Sequence, residues 1–242
     1  MCLWKLFGRK SEEIEEVKTI DNGPVVLKKE VEEIVSEIQP LDLMKVRFSR
    51  AVNQSNRRDE IRAIILHHIY MGSFKKSEKF LINKASGVSS HYLLGVDDLV
   101  QTVNTKKKAW HAGVSEWEIG GRKRTNLNNC TIGIEILNPG VMTKNGDKFY
   151  FNNGGTVSEW TGDKPEKTSI VYPSGKILEG YSVPYPEKQL NKLIALCKGI
   201  VKKYPQIGSE NIMAHYQIAQ PEGRKNDPFG LDIEYVRRRI FE

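Results

Sequence analysis

Six consecutive residues constrain the fold of this 242-residue chain more than any others: Thr131-Ile132-Gly133-Ile134-Glu135-Ile136 alternates without a break. Side chains on a strand alternate between faces, so Ile132, Ile134 and Ile136 form one face, and Thr131, Gly133 and Glu135 form the other. The isoleucine face belongs in a core. The opposite face ends in a carboxylate next to a residue without a side chain. If that face floors a cleft, Gly133 leaves room for a ligand and Glu135 is placed for proton transfer. For this strand taken alone, a glutamate facing solvent is the plainer reading.

Two further runs supply what the strand lacks. Ile61-Arg62-Ala63-Ile64-Ile65-Leu66 reads as a buried strand followed at once by His67 and His68, whose side chains point to opposite faces and so do not share one ion. Ile212-Met213-Ala214 reads as a short strand leading to His215, and a loop punctuated by Gly and Pro then folds Asp227 back towards it. Lys225 and Asp227 are two residues apart, so on extended backbone they point the same way. His67, His215 and Asp227 are a workable catalytic zinc shell with one open position, and the same set suits non-haem iron. Glu135 as a base and Lys225 as a cation favour hydrolysis.

The rest of the chain is a scaffold around these segments. Helices are expected over Ser77 to Ala85, from Tyr185 through a face of Leu190, Leu193, Ile194, Cys197, Ile200 and Val201, and after an Asp232 cap. Ser89 to Gln101 reads as a β-hairpin, and residues 139–184 as an insertion that contains a hairpin and forms a groove wall. Leu27, Val31, Ile34, Val35 and Ile38 mark a short amphipathic helix that must pack on the domain or on a partner. Residues 1–10 combine bulky apolar side chains with three cationic ones, read first as a terminus packed or disordered and second as a weak contact with an anionic membrane.

Composition excludes some classes of function. Three scattered cysteines do not make a disulfide framework, Cys197 falls on a core face and Cys130 lacks the charged setting of a catalytic thiol, so a reducing compartment is expected. The net charge of +7 admits anionic partners. Lys106 to Lys108 and Arg122 to Arg124 nevertheless read as solvated loops, because no basic helix face, zinc-finger spacing or RNP-like motif accompanies them, and no nucleic acid is expected. No apolar run reaches the roughly 20 residues of a membrane span, and Met1 to Phe7 is too short for a secretory core. Synthesis in the cytoplasm without its own signal peptide is the expectation, with a monomer as the functional unit.

Five ordered motifs resemble one family: Ile64-Ile65-Leu66-His67, Val88-Ser89-Ser90-His91-Tyr92, Ala109-Trp110-His111-Ala112-Gly113, Asn128 ahead of Thr131 to Glu135, and His215 followed by Gly223-Arg224-Lys225-Asn226-Asp227-Pro228. Together they are similar to the zinc-dependent N-acetylmuramoyl-L-alanine amidases, which include recycling amidases, phage endolysins and peptidoglycan recognition proteins. The resemblance runs from about Ile61 to Ile240. It implies Zn2+ held by His67, His215 and Asp227, with Glu135 as acid/base and Lys225 supporting an oxyanion. It also implies substrate contacts from His111, Asn128 and Trp110. In the lysozyme-type endolysins a tyrosine precedes the histidine matched by His91, and here that residue is Ser90, so the base role rests on Glu135. The segment from His215 to Asp227 is longer than in the recycling members, through Gln220-Pro221-Glu222.

The expected fold is α/β, a mixed central β-sheet flanked by helices, with an N-terminal helical arm over residues 1–45 and the catalytic domain over 46–242. The expected activity is cleavage of the amide between N-acetylmuramic acid and L-alanine in peptidoglycan, as an endolysin acting at the cell wall. A cytoplasmic muropeptide-recycling amidase and a non-catalytic peptidoglycan-binding module are the alternatives.

Overall fold

A computed structural model describes residues 37–153 and 155–242. Ile38–Glu242 form one compact unit. The amphipathic helix and membrane contact expected near the N-terminus lie outside the described residues, apart from the helix's last positions. This unit takes in residues ahead of 46, where the chain packs on a helix. Leu41 N–H donates to the Ala195 carbonyl at 2.8 Å. A Cβ on Gly199 would stand 2.4 Å from the Leu41 carbonyl oxygen, so only glycine lets the two backbones approach there.

In chain order the strands are β1 (Gln54–Asn56), β2 (Ala63–Ile69), β3 (Tyr92–Leu94), β4 (Leu99–Gln101), β5 (Lys107–Ala109), β6 (Glu116–Glu118), β7 (Lys123–Thr125), β8 (Thr131–Leu137), β9 (Met142–Asn145), β10 (Lys148–Asn153), β11 (Thr156–Trp160), β12 (Glu166–Val171), β13 (Ile177–Ser182) and β14 (Ile212–Ala214). The helices are α1 (Phe74–Ile82), α2 (Glu187–Lys203), the single turn α3 (His215–Ile218) and α4 (Ile233–Phe241). β14, β2, β8, β3 and β4 form the central sheet in that order. Its first four strands are parallel and β4 pairs antiparallel, so the sheet is mixed as expected.

The register divides the sheet into two dissimilar faces. Ile64, Leu66, Ile132, Ile134, Ile136, Tyr92 and Leu94 pack against Leu193, Ile194, Leu196, Cys197 and Ile200 of α2 and Val236 and Ile240 of α4. Burying an aliphatic side chain of this size contributes about 1.5–3 kcal/mol, so this layer dominates the apolar stabilisation. On the reverse face Ala63, Ile65 and Met213 are covered by loop residues Ala112, Leu127 and Cys130. Leu93 and Val100 are covered by Leu81 of α1. His67 and Glu135 lie on this same face between the two small clusters, paired in register.

Several local details differ from the pattern read in the sequence. β2 runs through both histidines instead of ending before them, because their partners on β8 continue to Leu137. α1 starts earlier than expected, where the Ser73 side chain accepts the Lys76 N–H at 3.2 Å as a cap. The insertion holds the three-stranded meander β9-β10-β11 and the β12–β13 hairpin in one antiparallel sheet ordered β11-β10-β9-β13-β12. The expected 89–101 hairpin forms as β3 and β4, and Asp232 caps α4 through the Tyr235 N–H at 2.9 Å.

Candidate active site

Three elements deliver three side chains to one point. β2 carries His67, the end of β14 passes directly into α3 and presents His215, and the following loop returns until the Tyr216 N–H donates to the Asp227 carbonyl at 2.9 Å. His67 Nδ1 and His215 Nδ1 are 3.0 Å apart, and Asp227 Oδ2 is 3.1 and 2.9 Å from them. The three residues are 1%, 3% and 8% exposed, which means the donors meet in a largely dry setting. Tetrahedral zinc with N and O ligands at about 2.0–2.1 Å needs donor separations of about 3.3 Å, so the triangle fits after opening by a few tenths of an ångström.

Hydrogen bonds on the far side of each ring supply the stronger test of fit. His215 Nε2 faces the Ala112 carbonyl at 3.2 Å, which can only accept. His67 Nε2 is 2.9 Å from His111 Nδ1, His111 Nε2 is 3.2 Å from Thr131 Oγ1, and the Thr131 hydroxyl donates to the Leu127 carbonyl at 2.7 Å. Reading the chain back from that carbonyl, each Nε2 carries the proton and each Nδ1 is left with a lone pair. Two lone pairs and a carboxylate oxygen therefore point at one another, an arrangement that a shared cation resolves. Carbonyl or ring partners of this kind are what hold ligating imidazoles in one tautomer.

Electrostatics agree with that assignment. Burial, with the His215 ring beside it, lowers the His67 pKa to about 4, so the imidazole is neutral near pH 7. Burial alone would raise the Asp227 carboxyl, but positive charge and N–H donation from a neighbouring His215 or His67 ring, protonated when no cation is shared, outweigh it and hold the group well below the usual range, as an anion. Glu135 is half-buried at the surface yet closely surrounded by protein. Desolvation, reinforced by Asp227 and opposed by Lys225, places its carboxyl well above the ordinary value. A carboxyl pushed upwards in this way suits proton exchange near neutral pH.

The remaining expected site residues are placed differently from one another. His111, expected on a substrate groove, is 8% exposed and stands under His67, its ring filling the space that Gly133 leaves free. The room above Gly133 is thus taken by a side chain rather than a ligand. Asn128 Oδ1 accepts the His111 and Ala112 N–H groups at 3.0 and 2.8 Å, which holds the loop that carries both. Trp110 keeps 39% of its surface exposed, and its indole N–H faces Ser55 Oγ at 3.3 Å. His68 points to the opposite face from His67 and accepts the Phe229 N–H at 3.1 Å.

Two supporting residues were not anticipated from the sequence. Thr131 ends the His67–His111 chain, and its position on the Gly133 and Glu135 face was the available signal. Arg57 donates to the carbonyls of Thr105, Asn128, Asn129, Lys107 and Thr131, and its Nη2 lies 3.0 Å from His91 Nε2. No pattern marks it in a stretch of Asn and Arg. A cleft of about 370 Å³ opens beside the site loop between Trp117, Lys123, Pro173, Gln217, Ala219 and Gln220.

The model of one family, N-acetylmuramoyl-L-alanine amidase, matches residues 57–230, a span that includes every residue of the triangle and Glu135. The chain belongs to this amidase family. AmiD of Escherichia coli (strain K12) is 31% identical over 176 residues, covering 69% of this chain and 49% of AmiD. The 1,6-anhydro-N-acetylmuramyl-L-alanine amidase AmpD of the same strain is 30% identical over 154 residues, covering 63% of this chain and 57% of AmpD. The chain thus spans about half the length of these curated relatives. Among solved amidase structures, a selenomethionine derivative of AmpD superposes with a TM-score of 0.56 over 85% of this chain and 98% of that one, at 22% identity, which shows the shared fold. E. coli AmiD in complex with anhydro-N-acetylmuramic acid-L-Ala-D-gamma-Glu-L-Lys gives a TM-score of 0.51 at 25% identity, covering 77% of this chain and 65% of that one.

Proposed function

We propose that this chain hydrolyses the amide that joins the lactyl group of N-acetylmuramic acid to L-alanine, with zinc held by His67, His215 and Asp227. The observation that carries the reading is the triangle of two Nδ1 lone pairs and one carboxylate oxygen, each at about 3 Å from the others, within a family match that spans it. Zinc bound there would polarise the amide carbonyl and make water acidic enough to attack near pH 7. Glu135 takes a proton from the attacking water and returns it to the departing alanine nitrogen. Lys225 supplies positive charge where the oxyanion develops. Asp227 remains ionised, and the Thr131–His111–His67 chain keeps His67 in its ligating tautomer.

The complete ligand set favours an enzyme over a binding module that has lost its metal. Between the two forms of substrate, the soluble anhydro-muropeptide is favoured, because AmpD is named a 1,6-anhydro-N-acetylmuramyl-L-alanine amidase and AmiD has been solved with an anhydro-muramyl peptide. Purified protein should contain one equivalent of zinc and release the stem peptide from an anhydro-muramyl peptide faster than from intact sacculi. Faster turnover of sacculi would assign it to lysis of the wall instead. Metal-free protein that binds wall fragments without cleaving them would overturn the enzymatic reading.

A further inference from the structure

The insertion and the loop that carries Lys225 and Asp227 meet along a continuous line of contacts. At the tip of the β12–β13 hairpin, Gly175 N–H donates to the Tyr172 carbonyl and Tyr172 N–H to the Lys176 carbonyl, both at 2.8 Å, which fixes a tight turn. Ser174 at its apex donates its backbone N–H to Glu222 Oε2 at 3.0 Å and its hydroxyl to Oε1. The Tyr172 hydroxyl donates to the Lys225 carbonyl at 3.2 Å, and the Tyr172 ring meets the Tyr216 ring edge-on at 5.9 Å. Below the turn, Gly180 leaves space for the Phe229 ring, and Gly230 packs on Ser182 and Thr168.

On its other side the same loop is tied to the segment that follows His111. Gln220 N–H donates to the Val114 carbonyl at 3.0 Å, and Arg224 donates to the carbonyls of Val114 and Gln220 at 2.7 and 2.9 Å. The loop has no helix or extended strand of its own between α3 and α4, so its backbone order comes from these two supports together with the Tyr216 N–H on the Asp227 carbonyl and the Phe229 N–H on His68. A catalytic group needs to be held to within about 0.5 Å, and a side chain on an irregular loop reaches that only when its surroundings fix the backbone.

We propose that the β12–β13 hairpin is a positioning element for Lys225 and Asp227, with Ser174 and Glu222 as its latch and Tyr172 as its strut. The proposal rests on the amidase reading for its kinetic consequence and on geometry alone for its effect on metal retention. Ser174→Ala removes the hydroxyl bond and keeps the backbone one, Glu222→Ala removes both, and both positions are exposed, so the fold survives each. In zinc-loaded protein, each should lower kcat on a soluble muramyl-L-alanyl peptide by about three- to tenfold with KM held within about twofold. The double variant should be no worse than Glu222→Ala alone, because Glu222→Ala already removes everything that Ser174→Ala removes. Glu222→Gln, which keeps an acceptor, should recover most of the loss. Tyr172→Phe should lower kcat by a separate factor. The rate at which a chelator strips zinc should rise in parallel in each variant.

Unchanged kcat and unchanged zinc loss in the single variants would overturn the proposal, as would effects that multiply in the double variant. If the wild type cleaves no muramyl peptide, the amidase reading fails, and the chelator rates alone then decide the latch. Equal rates in wild type and variants would sink it, and faster loss in the variants would sustain it.

Discussion

His111 shows how much one residue depends on its partners. Trp110-His111-Ala112-Gly113 suggests a groove when read as a string, yet the ring is buried against Gly133 with both nitrogens engaged. Its effect on chemistry is indirect, through the His67 tautomer. Replacing it by alanine should therefore weaken zinc binding by about the 10- to 100-fold typical of partners that orient a ligand. Competition against a chelator of known affinity measures this, and unchanged affinity would refute the assigned role. Glu135 is the opposite case, a side chain that faces the site without holding the metal. Glu135→Gln should retain zinc while turnover falls by about 100- to 10,000-fold, as for other general acid/base groups. Wild-type turnover in that variant would remove Glu135 from the mechanism. Residue types and spacing were enough to nominate His67, His215, Asp227, Glu135 and Lys225, but which nitrogen points into the triangle depends on the Ala112 carbonyl and Thr131, partners that no local pattern reveals.

At the scale of elements, β8 was the most legible part of the molecule because alternation fixes both its conformation and its faces. The same strand carries a glycine that leaves no room for a larger residue. A Cβ at Gly133 would lie 2.5 Å from His111 Cγ, and the ring cannot retreat because His67 and Thr131 hold its two nitrogens. Gly133→Ala should destabilise the fold by about 1–3 kcal/mol, the usual range for overpacking, and should also weaken metal binding. Urea unfolding and zinc titration of the same variant test both consequences, and a neutral result in both would mean that the ring moves freely. The insertion was much less legible. Its strands mix charged, aromatic and Gly or Asn positions, and β9 meets β13 through the single pair Tyr181 and Met142, which no spacing rule anticipates. The start of α1 was misplaced for a similar reason, since the cap at Ser73 fixes it rather than apolar periodicity.

For the whole molecule, the architecture followed from the order of the buried strands, while the contact between the insertion and the site loop joins residues 48 apart in sequence and is seen only in space. The buried histidines also tie global stability to pH. His91 is fully buried beside Arg57, and burial first, then the guanidinium, lowers its pKa to about 3 from an ordinary 6.5. Between those values the unfolded chain binds a proton that the folded chain does not, so the stabilisation present above about pH 6.5 is lost as pH falls towards 3. The urea midpoint of wild type should therefore fall from pH 7 to pH 5, and His91→Gln should flatten that dependence; an equal slope in the variant would place the acid sensitivity elsewhere. The most direct test of the central claim is the mass of the products released from an anhydro-muramyl tripeptide. The proposed activity predicts a free peptide beginning with L-alanine and a free muramyl sugar, lost on chelation and restored by zinc. Cleavage at any other bond, or cleavage that a chelator leaves untouched, would contradict it.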